Sequence, residues 1–187
     1  VTLAGVRAKL LLVDDRRENL VALEAILQGL PLEPVLATSG EEALKRLLTD
    51  DFAAILLDAQ MPGMDGFETA GHIKQRERTR HVPIIFLTAA DRDAHLAFRG
   101  YAAGAVDYIT KPFDPWVLRA KVMVFVELWA KDRQLREQSQ HAKRQAAEHD
   151  LLMSAVEEAV HMLEPECQRS EVVAGVVSLL NRARMAE

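Results

Sequence analysis

Short apolar runs that end in polar residues alternate with stretches whose apolar residues recur three and four positions apart. KLLLVDD, AAILLDAQMPGMDG, VPIIFLTAAD and AVDYITKPF are the four runs, and each reads as a strand buried on both faces. The pattern predicts strands over residues 9–14, 32–37, 52–58, 83–88 and 106–109. Between them it predicts helices. One covers residues 18–28, with Leu20, Leu23, Ile26 and Leu27 on one face and Gly29 as its stop. A second follows Ser39, a good N-cap, and buries Ala43, Leu44 and Leu47. A third runs over 64–76 after a Pro-Gly turn, and a fourth over 91–102, closed by Gly104. Asp114 caps a fifth, with Pro115 in its first turn, where proline is tolerated. Strict alternation of strand and helix predicts an α/β fold: a doubly wound parallel sheet with right-handed crossovers.

The last helix has no visible stop. From Trp116 to Asp150 there is neither Gly nor Pro, and Leu128, Leu135 and Ala142 recur every seven residues, a thin heptad. Residues 151–163 turn apolar again, with Leu152, Val156, Ala159, Val160 and Leu163 on one face, before Pro165. Ser170 then opens a helix over 171–186 that carries Val173, Val176, Val177 and Leu180 on one face. Two amphipathic helices around a proline turn read as a hairpin, too small to bury its face alone. The expected organisation is a domain over 7–129, a helical linker or coiled coil over 130–150, and a hairpin over 151–187 that dimerises or docks a partner.

Composition narrows the function. With 49% hydrophobic and 27% charged residues, the 187-residue chain has the make-up of a soluble globular protein. A net charge of −5 argues against a bulk nucleic-acid footprint. No apolar run approaches the roughly 18 residues of a membrane span, and the N-terminus lacks a secretory pattern, so the expected location is the cytoplasm, with no membrane partner. A single cysteine, Cys167, excludes an internal disulfide framework. No H-E-x-x-H or Walker-type loop occurs. His149-Asp150 is the remaining pair with a chemical look, and a solvated helix face accounts for it.

Asp14, Asp15, Asp58, Thr88 and Lys111 lie at or just beyond the ends of the apolar runs. A doubly wound sheet binds its ligand beyond the carboxyl ends of its strands, so these side chains should converge. Three carboxylates in one pocket call for a cation, and oxygen-only ligands suit Mg²⁺. A lysine and a hydroxyl beside it suit a phosphoryl group.

Taken in order, Asp14-Asp15, Asp58 within LLDAQMPGMDG, Thr88, Tyr108 and Lys111-Pro112 resemble the receiver domain of response regulators in two-component signalling, over residues 7–129. The resemblance implies the flavodoxin-like strand order 2-1-3-4-5. It implies that Asp58 accepts a phosphoryl group from a phosphohistidine on a sensor histidine kinase or phosphotransfer protein. Asp15 and Asp58 would bind Mg²⁺ directly, Asp14 through a water, and Gln60 through its backbone carbonyl. Lys111, aimed by a cis Lys-Pro bond, would offset phosphoryl charge. Thr88 would sense the acyl phosphate, and Tyr108 would turn inward as an aromatic switch. Ala90 and Gln60 occupy positions that tune hydrolysis. Apart from phosphorylating and dephosphorylating itself, such a domain is not an enzyme. Its output would pass through the helical tail, as a homodimer or to a downstream protein. Two alternatives share the resemblance: an RNA-binding tail, disfavoured by the acidic HDLLMSAVEEAVHMLEPE, and the regulatory piece of a larger signalling enzyme.

Overall fold

The computed structural model describes residues 7–89, 107–163 and 175–178. The helix expected over 91–102, Ala90, Gly104, Pro165, Cys167 and most of the last expected helix lie outside the described residues, and 175–178 are helical. In chain order the elements are β1 (Ala8–Val13), α1 (Arg17–Leu27), β2 (Leu32–Ala37), α2 (Gly40–Thr49), β3 (Ala54–Asp58), α3 (Gly66–Gln75), β4 (Ile84–Ala89), β5 (Asp107–Lys111) and α4 (Pro115–Leu163). The strands form one sheet in the order β2-β1-β3-β4-β5, every pair parallel.

Successive side chains of a strand point to opposite faces, and both faces of this sheet are covered. Leu10, Leu12, Leu56, Ile85 and Leu87 pack with Leu20, Leu23 and Leu27 of α1 and with Leu118, Val122 and Val126 of α4. Leu11, Val13, Ile55, Leu57 and Phe86 pack instead with Ala43 and Leu47 of α2 and with Phe67, Ala70 and Ile73 of α3. This is why the strands read as unbroken apolar runs rather than as alternating ones. Phe67 and Phe86 lie with ring centroids 4.8 Å apart, joining α3 to the middle of the sheet.

Local chemistry sets the ends of the helices. Ser39 Oγ accepts the Glu42 N–H at 3.1 Å, while Glu42 Oε2 accepts the Thr38 N–H at 2.8 Å, so each side chain satisfies a backbone donor of the other's turn. Ser39→Ala should cost about 1 kcal/mol. A urea titration will show this as a lower midpoint with unchanged slope; an unmoved midpoint would mean the cap contributes nothing. Gly29 takes φ +84° just past α1, a conformation that a side chain disfavours. The last turn of α1 carries no basic residue. Arg119 of α4 supplies one from outside, donating to the carbonyls of Ile26 at 2.5 Å and Gln28 at 2.9 Å.

Two strands depart from expectation by two residues: β3 begins at Ala54, not at 52, and β5 differs at its far end. β5 runs over Asp107–Lys111, beyond the expected end at 109, because Thr110 pairs with Thr88 and Lys111 with Ala89. Backbone pairing ignores side-chain polarity, so the strand continues past its apolar residues.

The chain divides into two units, Val1–Gln134 and Leu135–Glu187, and α4 contributes to both. Among the described side chains of α4, Ala130 is the last buried one. No helix among the described residues is long and apolar enough to cross a membrane.

Candidate functional site

Sheet register assembles the site. Val13 pairs with Leu57, so the next residues, Asp14 and Asp58, emerge side by side at the carboxyl ends of β1 and β3. Leu87 pairs with Asp58, which puts Thr88 one step further along β4. Ala89 pairs with Lys111, which brings the lysine to the same edge on β5. The peptide bond after it, Lys111–Pro112, is cis.

Asp14 is fully buried, Asp58 and Thr88 nearly so, and Asp15 reaches solvent. One carboxylate oxygen from each of Asp14, Asp15 and Asp58 lies within 4.8 Å of the others. Lys111 Nζ donates to Asp58 Oδ2 at 2.9 Å and to Asp14 Oδ2 at 3.0 Å. The Gln60 N–H donates to Asp58 Oδ1 at 3.2 Å.

These contacts set the electrostatics. Burial raises the Asp58 carboxyl above its ordinary value, and the bonds from Lys111 and Gln60 only partly reverse this. For Lys111, burial opposes the charge, yet its bonds to Asp58 and Asp14 more than compensate and hold its pKa above the ordinary lysine value. Three carboxylates thus face one ammonium. The donor set is all oxygen and carries excess negative charge, which fits a hard divalent cation such as Mg²⁺.

Two residues that sequence reasoning missed complete the site. Asn19 Nδ2 donates to both Asp14 oxygens, at 2.9 and 3.0 Å, and the Arg16 N–H donates to Oδ1 at 3.0 Å. Asp14 is thereby held in one orientation. The N-cap of α1 is Arg16, with no side-chain cap bond, so neither Asp14 nor Asp15 serves as that cap. The spacing D-D-x-x-x-N across the first turn of the helix was the available signal. The second is Gly66, which opens α3 against the end of β3. A Cβ there would stand 2.1 Å from the Asp58 carbonyl oxygen and 2.8 Å from Ala59 Cα. Glycine is a poor helix former, so its place at the start of a helix was the readable hint.

Tyr108 is 43% exposed, facing outward from β5. The side chain of Gln60 is exposed, while its backbone adjoins Asp58.

The chain matches the response regulator receiver domain family over residues 10–123. It is 40% identical over 115 residues to the response regulator PleD of Caulobacter vibrioides, covering 62% of this chain and 25% of that protein. It is 36% identical over 114 residues to the alkaline phosphatase synthesis transcriptional regulatory protein PhoP of Bacillus subtilis, covering 61% of this chain and 46% of that one. The match therefore spans between a quarter and just under half of these relatives' lengths. Among solved structures, a putative response regulator from Chloroflexus aurantiacus superposes with a TM-score of 0.61 at 35% identity, over 65% of this chain and 99% of that one. The receiver domain of a Pseudomonas aeruginosa sensor histidine kinase, with a magnesium ion coordinated in its active-site cleft, gives 0.60 at 30% identity, over 65% and 99%.

Proposed function

The chain belongs to the response regulator receiver domain family of two-component signalling, and on that premise we propose that Asp58 accepts a phosphoryl group with Mg²⁺ bound beside it. The observation that carries this reading is the lysine bridge: Lys111 Nζ lies 2.9 Å from Asp58 and 3.0 Å from Asp14, over three converging carboxylates.

The donor is a phosphohistidine on a sensor histidine kinase or phosphotransfer protein. An Asp58 carboxylate oxygen attacks phosphorus in line with the P–N bond. The O–P bond forms as the P–N bond breaks, and the electron pair returns to the imidazole nitrogen. Asp15, Asp58 and the Gln60 carbonyl are the ligands proposed for Mg²⁺, with Asp14 acting through a water. When bound, the ion supplies charge neutralisation for the phosphoryl oxygens. Lys111 exchanges part of its contact with Asp58 for a phosphoryl oxygen, which a mobile point charge can do without moving the backbone. Asn19 keeps Asp14 from turning away.

Thr88 sits at the rim of the same pocket, where its hydroxyl can bond a phosphoryl oxygen that exists only after transfer. A contact present in one state alone biases a two-state equilibrium. Tyr108, now outward, is the proposed second member of that switch. Residues 7–129 form the receiver on this reading, and 130–150 and 151–187 its helical output, acting by homodimerisation or on a downstream protein. The proposed location is the cytoplasm. A second reading, the regulatory part of a larger signalling protein, is favoured by the relatives' greater length.

The test is to incubate the protein with Mg²⁺ and radiolabelled acetyl phosphate, then reduce the product with borohydride and map the modified residue by mass spectrometry. One base-labile phosphoryl group on Asp58, lost when the metal is chelated, is expected. Label on another residue, or none, would reject the proposal.

A further inference from the structure

The tail helix carries an apolar stripe that the receiver does not use. Counting sevens from Leu128 gives Leu135, Ala142, His149 and Val156. Counting sevens from Val124 gives Lys131, Gln138, Gln145, Leu152 and Ala159. These are the a and d positions of one uninterrupted heptad register along α4. Leu128, Leu135 and Leu152 stand 56%, 65% and 66% exposed, high values for leucine. Beyond Ala130 no described side chain of α4 is fully buried, and an isolated helix has little stability of its own in water, so the stripe calls for a partner.

We propose that a second copy of this chain covers it, with α4 pairing against α4 as a parallel, in-register, two-stranded coiled coil from Val124 to Ala159. This deepens the reading of the tail as the output element and rests on it. The spacing of the stripe selects the shape of the occupant. A straight α-helix drifts by about 20° per heptad against a seven-residue repeat. A stripe that keeps the repeat from 124 to 159 therefore suits a second long helix supercoiling along it. At about 1.5 Å per residue the partner must extend for about 50 Å. The other helical segments of the described residues, α1, α2, α3 and residues 175–178, have 11, 10, 10 and 4 residues and are too short. Among the described residues only α4, with 49 residues, is long enough, so a second α4 fits the stripe.

The polar members of the register favour this chain itself, and in one orientation. An antiparallel pair sets a against d. Of the two antiparallel registers with near-full overlap, one sets Leu135 against Gln145 and His149 against Lys131, and the other sets Ala142 against Gln145 and Val156 against Lys131. Parallel in-register pairing instead places each leucine on its own copy and each glutamine amide against an identical amide, which can both donate and accept. A slip of one heptad would bury Gln145 against Leu152. In a parallel pair an e residue flanks the d layer, so Asp132 of one copy lies next to Lys131 of the other and offsets the repulsion between the two lysines. Glu127, at g, meets Asp132 across the seam as like charges, with both lysines beside them. The leucines supply attraction, and the polar layers fix register and strand number, as buried polar residues do in coiled coils.

The experiment is directed cross-linking of the full chain in a Cys167→Ser background. Single cysteines are introduced as Leu135→Cys, at an a position, and Gln140→Cys, on the opposite face, and are oxidised with copper–phenanthroline. Each is run with and without Mg²⁺ and beryllofluoride. The proposal expects Leu135→Cys to form covalent dimer at least about tenfold faster than Gln140→Cys in at least one of the two states, since a disulfide needs Cβ atoms about 4 Å apart. Equal rates in both states, no dimer in either, or preferential cross-linking of a mixture of Leu135→Cys and Gln145→Cys chains would overturn it. Light scattering adds a second reading: Leu128→Asp should convert the dimer to monomer, and an unchanged dimer mass would count against the seam. Failure of the phosphoacceptor reading looks different. Asp58 would remain unlabelled by acetyl phosphate, while the cross-link at position 135 would still form in the absence of beryllofluoride.

Discussion

Asp58→Asn will take no phosphoryl group from acetyl phosphate, yet it will fold as well as the wild type or better. The two halves of this result have separate causes. Asparagine matches aspartate in shape, so its amide oxygen can still accept from Lys111, which stands 2.9 Å away in the wild type. An amide oxygen, however, is a poor nucleophile toward phosphorus, and the covalent product is lost. Stability follows from charge. Three carboxylates converge within 4.8 Å and share one lysine, so replacing one by a neutral amide relieves repulsion. The sign can be checked from the direction of the shift. Burial raises the Asp58 pKa, so the folded protein holds that proton more tightly than the unfolded chain. Its ionisation therefore costs stability as pH rises from the unfolded carboxylate value through the raised folded value, and the cost stays constant above it. The variant carries no such cost. In chelator its melting temperature should equal or exceed that of the wild type. Adding Mg²⁺ should raise the wild type more, by mass action on the folded state. Phosphoryl uptake by the variant, or a melting temperature several degrees lower in chelator, would contradict this account.

Gly66→Ala should damage both fold and chemistry. Two effects oppose each other here. Alanine favours a helix over glycine by about 1 kcal/mol. Against that, the new methyl would lie 2.1 Å from the carbonyl oxygen of Asp58, 2.8 Å from Ala59 Cα and 3.0 Å from the Asp58 carbonyl carbon. All three are backbone atoms, so no rotamer change can relieve the overlap. Either α3 lifts from the sheet, pulling Phe67 from its place against Phe86, or the end of β3 shifts. Overpacking of this kind costs about 1–3 kcal/mol, and a contact this close belongs at the upper end, so the steric effect outweighs the propensity gain. Urea unfolding should show a net loss of about 2 kcal/mol. Because the displaced atoms carry Asp58, phosphoryl uptake should slow as well. A variant with wild-type midpoint and wild-type uptake would show that the approach of α3 to β3 is not a constraint.

How far the sequence revealed all this depended on the kind of signal. The strands were legible because a sheet covered on both sides demands consecutive apolar residues, and KLLLV, AILL and PIIFL leave little alternative. The pocket residues were legible because they are the polar groups that end those runs. β5 was read two residues short, since Thr110 and Lys111 are polar and its ladder is a matter of backbone geometry. Asn19 escaped notice because its role is fixed by the pitch of α1, which carries it back over Asp14, and not by hydrophobicity. Gly66 escaped for a related reason: what counts there is the absence of atoms, visible only once two elements are seen to touch.

Ala130, the last position of α4 that the core claims, has a consequence for how such a protein can change over time. Up to that residue every third or fourth side chain answers to the sheet, and substitution there is policed by folding. Past it, no described side chain of α4 is buried in the core, and Arg133 over the Trp129 ring is a contact within the helix itself. A lineage could exchange everything beyond this point and leave the acidic pocket intact. The receiver and the helix that follows it would then drift at different rates, with the border between slow and fast change running inside α4.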